Sequence, residues 1–176
     1  MAYNDYRSSS GSRSGGTISG NRGARENGAS SSRPNNYAPV RISIPADYLK
    51  DGYTDESGVL DIKLITTQAE QLGKGLGNDG KTGVSKIRSF YDEVTRYMTD
   101  CTYGDVQWTV FRNKLGLLKA RANNRFEKGT ASKLFLDFIS KNVDTVIKAK
   151  TEKEFKESLA NFKDHFEAVV CYLPKA

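Results

Sequence analysis

Residues 75–83 read GLGNDGKTG, and two folds compete for them. Gly75, Gly80, Lys81 and Thr82 satisfy the spacing G-x-x-x-x-G-K-[ST]. In a genuine phosphate loop a buried strand runs into the glycines, backbone N–H groups wrap the phosphates, and the next helix points its positive end at them. That reading needs a parallel sheet. The flanks supply helices instead. Ile62, Ile65, Ala69, Leu72 and Leu76 recur at i, i+3, i+7, i+10 and i+14, which predicts one amphipathic helix running into the glycines. Downstream, KIRSFYDEVTRYM (86–98) places Ile87, Phe90, Tyr91, Val94, Tyr97 and Met98 on a second stripe, with Thr82 or Ser85 as its N-cap. GLGNDGKTG is therefore a glycine loop between two helices.

The helical period continues to the end. Trp108, Phe111, Leu115, Leu118, Ala122 and Phe126 form a third stripe after Gly104-Asp105. Ala131, Leu134, Phe135, Phe138, Ile139 and Val146 form a fourth, opened by Gly129-Thr130. Phe155, Leu159, Phe162, Phe166, Val169 and Leu173 form a fifth; Thr151 and Glu154 make its capping box and Pro174 ends it. The sequence predicts an all-α fold, a compact bundle of about five helices. Strand-like alternation is confined to RISIP (41–45), where Pro45 forces an extended approach before one helical turn.

Residues 1–36 hold six Gly and nine Ser with a single Ile. Such a stretch cannot bury enough apolar surface to offset its ordering entropy. We expect residues 1–40 to be a disordered Gly/Ser/Arg-rich tail and 41–176 to be the helical domain. The 176 residues carry a formal charge of +6, a lean toward polyanionic partners. The excess is uneven: residues 81–128 hold ten basic residues against five acidic ones, and 41–80 hold four against seven.

Cys101, Cys171 and His165 lack metal-ligand or disulfide-scaffold spacing, so neither metal nor cofactor is expected. No apolar run approaches the roughly 18 residues of a membrane span, and the start has no signal-peptide core. A soluble cytoplasmic protein is the expectation. LFLD (134–137) offers a Walker-B-like aspartate, but its apolar residues are spaced for a helix that leaves Asp137 exposed. His165, beside Phe162 and Phe166, reads as flanking a packed face, since a general base would need an identifiable nucleophile or metal. Asp92-Glu93 reads as a solvated acidic pair. No catalytic residue is expected.

The basic residues of the third helix carry more information. Lys114, Arg121, Arg125 and Lys128 fall at i, i+7, i+11 and i+14, on one flank of the apolar stripe; Arg112 and Lys119 edge the other. Such a row suits phosphate contact, Arg as a rigid fork and Lys as a point charge. The plainer reading is that basic residues near a helix C-terminus favour its dipole. Lys86 and Arg88 border opposite edges of the second stripe, and Lys81 and Arg96 add charge nearby.

GVSKIRSFYDEV (83–94), LGLLKARANNRF (115–126) and FKDHFEAVVCYLP (162–174), in that order, resemble the small subunit of type III-A CRISPR-Cas (Csm) effector complexes over roughly residues 60–174. The resemblance implies a non-catalytic helical bundle whose copies stack as a minor filament. It implies contacts to the crRNA and target RNA backbones without sequence preference, beside a backbone-forming subunit and a large subunit. It places Lys86 and Arg88 at the basic positions around the Ile-Arg motif, and Lys119, Arg121 and Arg125 at those of the third-helix motif. The family often has a tyrosine and a glycine where this chain reads Ala122, Asn123 and Asn124, and the Gly/Ser/Arg tail is not a family feature. Two other readings remain: the small subunit of another CRISPR subtype, and a helical protein-interaction adaptor for which the basic row serves only solubility.

Overall fold

The computed structural model describes residues 42–174, so the expected disordered tail lies outside the described residues. Residues 42–45 lead into the first turn without helix or strand, in keeping with the clash between a proline ring and a helical preceding residue. The chain then turns, with the Tyr48 N–H donating to the Pro45 carbonyl at 3.1 Å and the Lys50 N–H to Asp47 at 3.0 Å. This arm buries Tyr48 and Tyr53. Among the described residues the only β pairing is an isolated antiparallel bridge between Thr54 and Leu60.

Six helices follow: α1 (Ile62–Ile65), α2 (Thr67–Gly77), α3 (Val84–Tyr103), α4 (Trp108–Glu127), α5 (Lys133–Ile147) and α6 (Glu152–Cys171). Five of them are the expected bundle helices. The first expected helix is broken, because Thr66 adopts φ −114° and ψ −97° and separates a single turn from α2. The run Ile65-Thr66-Thr67 is β-branched throughout, which weakens helix propagation there. Ile62 is consequently 63% exposed and Leu64 takes the core position.

At α1, α5 and α6 the helix start follows a side chain that reaches a free N–H group. At α6 the forward half of the expected capping box is made, Thr151 Oγ1 accepting from the Glu154 N–H at 3.2 Å, while the Glu154 carboxylate accepts from the Lys150 N–H at 2.9 Å, one residue before the cap. Ser132 caps α5 by accepting from the Phe135 N–H at 3.1 Å, so Gly129-Thr130 precede that helix without capping it. Gly83, rather than Thr82 or Ser85, is the N-cap of α3. Thr82 is buried, donating its hydroxyl to Ser132 Oγ at 3.2 Å and accepting from the Ser132 N–H at 2.9 Å.

Helix α6 packs against each of the other five helices. Its Phe155, Phe162 and Phe166 are fully buried together with Phe135 and Phe138 of α5 and Phe111 of α4. Phe138 meets Phe166 edge to face at 4.9 Å, and Phe90 of α3 meets Phe135 likewise at 5.0 Å. Each such ring removed from water contributes about 2–3 kcal/mol. His165 lies inside this core, fully buried, and not on its flank as expected. Its Nδ1–H donates to the Leu64 carbonyl at 2.7 Å, which leaves Nε2 to accept from the Tyr48 hydroxyl at 2.6 Å. Asn142 donates to the same hydroxyl at 2.9 Å and accepts from Tyr53 at 2.9 Å. Four side chains thus tie the N-terminal arm and α1 to α5 and α6.

The first third of the stretch 75–83 is helix. Gly75 and Gly77 belong to α2, so the loop is shorter than the glycine pattern suggests. A Cβ on Gly75 would stand 2.9 Å from Leu134 Cδ2 and 3.1 Å from Ile42 Cδ1; the missing side chain admits neighbouring hydrophobics. The N–H groups that a phosphate cradle would offer are engaged internally: Asp79 Oδ1 accepts from Lys81 N at 2.8 Å and from Thr82 N at 2.7 Å. With Thr82 Oγ1 committed to Ser132, neither the amide nest nor the hydroxyl of the motif faces a nucleotide. Asp137 lies on the exposed side of its helix as expected, ion-paired at the surface to Lys133 one turn earlier.

Candidate nucleic-acid interface

The basic row of α4 lies along the seam with α3, and aromatic rings hold its members. The guanidinium carbons of Arg121 and Arg125 stand 5.9 and 5.8 Å from the Phe90 ring centroid, on α3. Lys114 Nζ sits 4.7 Å from the Phe111 centroid and 5.6 Å from that of Tyr97, and Arg96 approaches Tyr97 at 5.9 Å. A cation over a ring face is attracted by the ring quadrupole while its outer edge stays in water. The i, i+7, i+11 spacing of Lys114, Arg121 and Arg125 therefore becomes an ordered file of charges. Lys128, the C-cap of α4, is exposed at its end.

The expected site residues do not all share this seam. On α3, Lys86 continues at i, i+4, i+7 and i+11 into Phe90, Glu93 and Tyr97, the stripe that meets α4. Arg88, two residues on, belongs to the far side of the helix and is exposed. On α4, Lys119 turns the other way and pairs with Asp144 of α5, its Nζ 2.6 and 2.7 Å from the two carboxylate oxygens. Arg121 and Lys119, neighbours in the motif, thus serve different seams.

Sequence reasoning missed Glu93. Asp92-Glu93 read as a solvated pair, yet only 16% of the Glu93 side chain is exposed. Its Oε1 accepts from Arg121 Nη2 at 2.5 Å and from the Tyr97 hydroxyl, with Arg96 Nη2 at 3.9 Å. Burial opposes the charged carboxylate, but the hydrogen bonds from Arg121 and Tyr97 and the charges of Arg121 and Arg96 outweigh it and hold Glu93 below the usual carboxylate range. The Glu93 hydrogen bond raises Arg121 further, and burial followed by Glu93 pushes the Tyr97 hydroxyl up to about 12. Arg121, Glu93 and Tyr97 also line a shallow groove of about 440 Å³ with Leu117, Ala120 and Asn124. Leu117 is 65% exposed and Val110, two turns earlier, 40%, so apolar surface borders the charged file on its solvent side.

Among the described residues no group of three or more His, Cys, Asp or Glu is placed to hold a metal ion, and no helix is long and apolar enough to cross a membrane. Residues 60–173 match the family described as Csm2 Type III-A. The chain belongs to that family. It is a small subunit of type III-A CRISPR-Cas, and family membership places it in a Csm complex with other subunits. A search of curated proteins and one of solved structures found no match. The matched span contains all six helices of the described residues of this Csm2-family chain, and with them both seams of α4.

Proposed function

We propose that this Csm2-family chain is a non-catalytic, RNA-binding structural subunit of a cytoplasmic type III-A effector complex. Copies stack as a minor filament along the complex, and each holds the crRNA and target RNA backbones through charge rather than base identity. The observation that carries this reading is the file of Lys114, Arg121 and Arg125, mounted on Phe90, Tyr97 and Phe111 along one seam. Cations fixed at helical spacing on rigid rings meet successive phosphates with little ordering cost, and nothing in the file reads a base edge. Lys86 and Lys128 both extend the track at its Arg125 end, with Lys114 at the other. Arg88 and Lys119 lie on other faces, so any RNA they meet passes outside this seam. Val110 and Leu117 offer apolar contact to a neighbouring subunit.

The test is the Arg121→Ala/Arg125→Ala double variant in assembled complex. RNA retention should fall, most steeply as salt rises, while helicity by circular dichroism stays unchanged. Equal retention at every salt concentration would remove the α3–α4 seam from the RNA path. Co-purification with a tagged chain tests the assembly: the backbone-forming and large subunits should come down with it.

A further inference from the structure

The seam carries its own anion at the centre of its cations. Glu93 Oε1 accepts a hydrogen bond from Arg121 Nη2, and a phosphate oxygen would take the same donor of the guanidinium. Tyr97 donates to the same oxygen and Arg96 stands 3.9 Å from it, so the carboxylate is held in place. Arg125 also lies over Phe90, at 5.8 Å, but no carboxylate among the described residues pairs with it. The two arginines therefore differ in availability although they share one ring.

From this arrangement, and resting on the RNA-binding reading above, we propose that Glu93 is an affinity-setting residue: an internal stand-in for phosphate that occupies Arg121 until an RNA phosphate displaces it. In the free chain Arg125, Lys114 and Lys86 meet the backbone first. Arg121 joins only when the competing phosphate is held close by those neighbours, so a short or poorly placed RNA gains nothing from it. No bond is made or broken in the exchange; one hydrogen-bonded anion replaces another, and Glu93 keeps the Tyr97 hydrogen bond and the Arg96 charge when Arg121 leaves.

The test is a filter-binding titration of the full-length chain with a labelled guide–target RNA hybrid across a salt series. Glu93→Gln preserves the shape and the acceptor for Tyr97 while removing the charge. It should bind up to about fivefold tighter, the upper range for a partly exposed pair. The slope of log affinity against log salt should steepen by about 0.7 to 0.9, the value of one added phosphate contact. The gain should vanish when Arg121→Ala is combined with it, and Glu127→Gln, an exposed carboxylate on the same helix as Arg121, should not reproduce it. Unchanged or weaker binding by Glu93→Gln, a gain that persists without Arg121, or an equal gain in Glu127→Gln overturns the proposal while leaving RNA binding in place. Absence of salt-dependent binding by the wild-type chain and all variants overturns the RNA reading and this inference with it.

Discussion

The Tyr48 hydroxyl lies 2.6 Å from Nε2 of His165, across 117 positions of sequence and inside the core. With Nδ1 giving its proton to the Leu64 carbonyl, the neutral imidazole accepts the Tyr48 hydroxyl at Nε2. Protonation at Nε2 would take that acceptor from Tyr48 and place an unpaired charge in the core.

That geometry predicts how stability depends on pH. Burial lowers His165 from 6.5 to about 4, with the Leu64 hydrogen bond opposing the shift. A folded-state value below the unfolded one means that the unfolded chain binds more protons between the two. The stabilisation is complete above about pH 6.5 and is lost as pH falls through the window to about 4, by roughly 3 kcal/mol in all. Melting temperature should fall across that window in the wild type. His165→Gln should be less stable at neutral pH and show a flatter profile. Glu93, Glu167 and Asp55, all held below their usual values, account for losses at still lower pH.

Two helical glycines should respond to alanine with opposite signs. A Cβ on Gly73 would meet Tyr172 Cβ and the Val169 carbonyl at 2.6 Å, whereas one on Gly116 meets nothing within 4 Å. Gly116→Ala should gain about 0.5–1 kcal/mol from helix propensity. Gly73→Ala should lose about 1–2 kcal/mol, since overpacking at the α2–α6 contact exceeds the same propensity gain. Urea denaturation of the pair, side by side, measures both.

Nucleotide should leave the protein unaffected. Asp79 occupies the Lys81 and Thr82 amides, so Mg·ATP should produce no thermal shift and Lys81→Ala should change nothing in that assay. Asp79→Ala frees both amides and removes the loop's internal anchor, which should cost about 1–2 kcal/mol of stability.

Within the α4 motif, Lys119 and Arg125 should separate. Lys119→Ala removes a cation already neutralised by Asp144 and should leave the salt dependence of RNA binding nearly unchanged. Arg125→Ala should reduce the slope by about 0.7 to 0.9. Equal effects of the two would place the RNA path across both seams.

The long stripes were legible because a 3.6-residue apolar period survives local detail: Phe155, Leu159, Phe162 and Phe166 had one helical reading and are fully buried. Breaks and polar cores were harder. The interruption at Thr66 turns on one residue's backbone within an otherwise unbroken stripe, with only the β-branched run as a signal. His165 looked peripheral because its partner, Tyr48, comes from a non-helical arm that no periodicity places. The cationic file on α4 followed from spacing within one helix. Glu93 did not, since Arg121 lies 28 positions away on another helix. A hint existed: Glu93 sits three residues after Phe90 and four before Tyr97, on the stripe facing α4. Adjacent acidic residues can face different surroundings, and position on the helix decides which one is solvated.

Helix α6 touches every other helix and follows all of them in the chain. As the protein leaves the ribosome, α2, α3 and α5 therefore emerge with part of their apolar faces waiting for a partner not yet made, although α1–α2, α3–α4 and α4–α5 can pack before α6 arrives. Closure of the core is a late event, completed when Phe155 through Val169 arrive. A nascent chain stalled before α6 would expose those faces to chaperones, and unfolding of α6 in the finished protein would release all five partners at once.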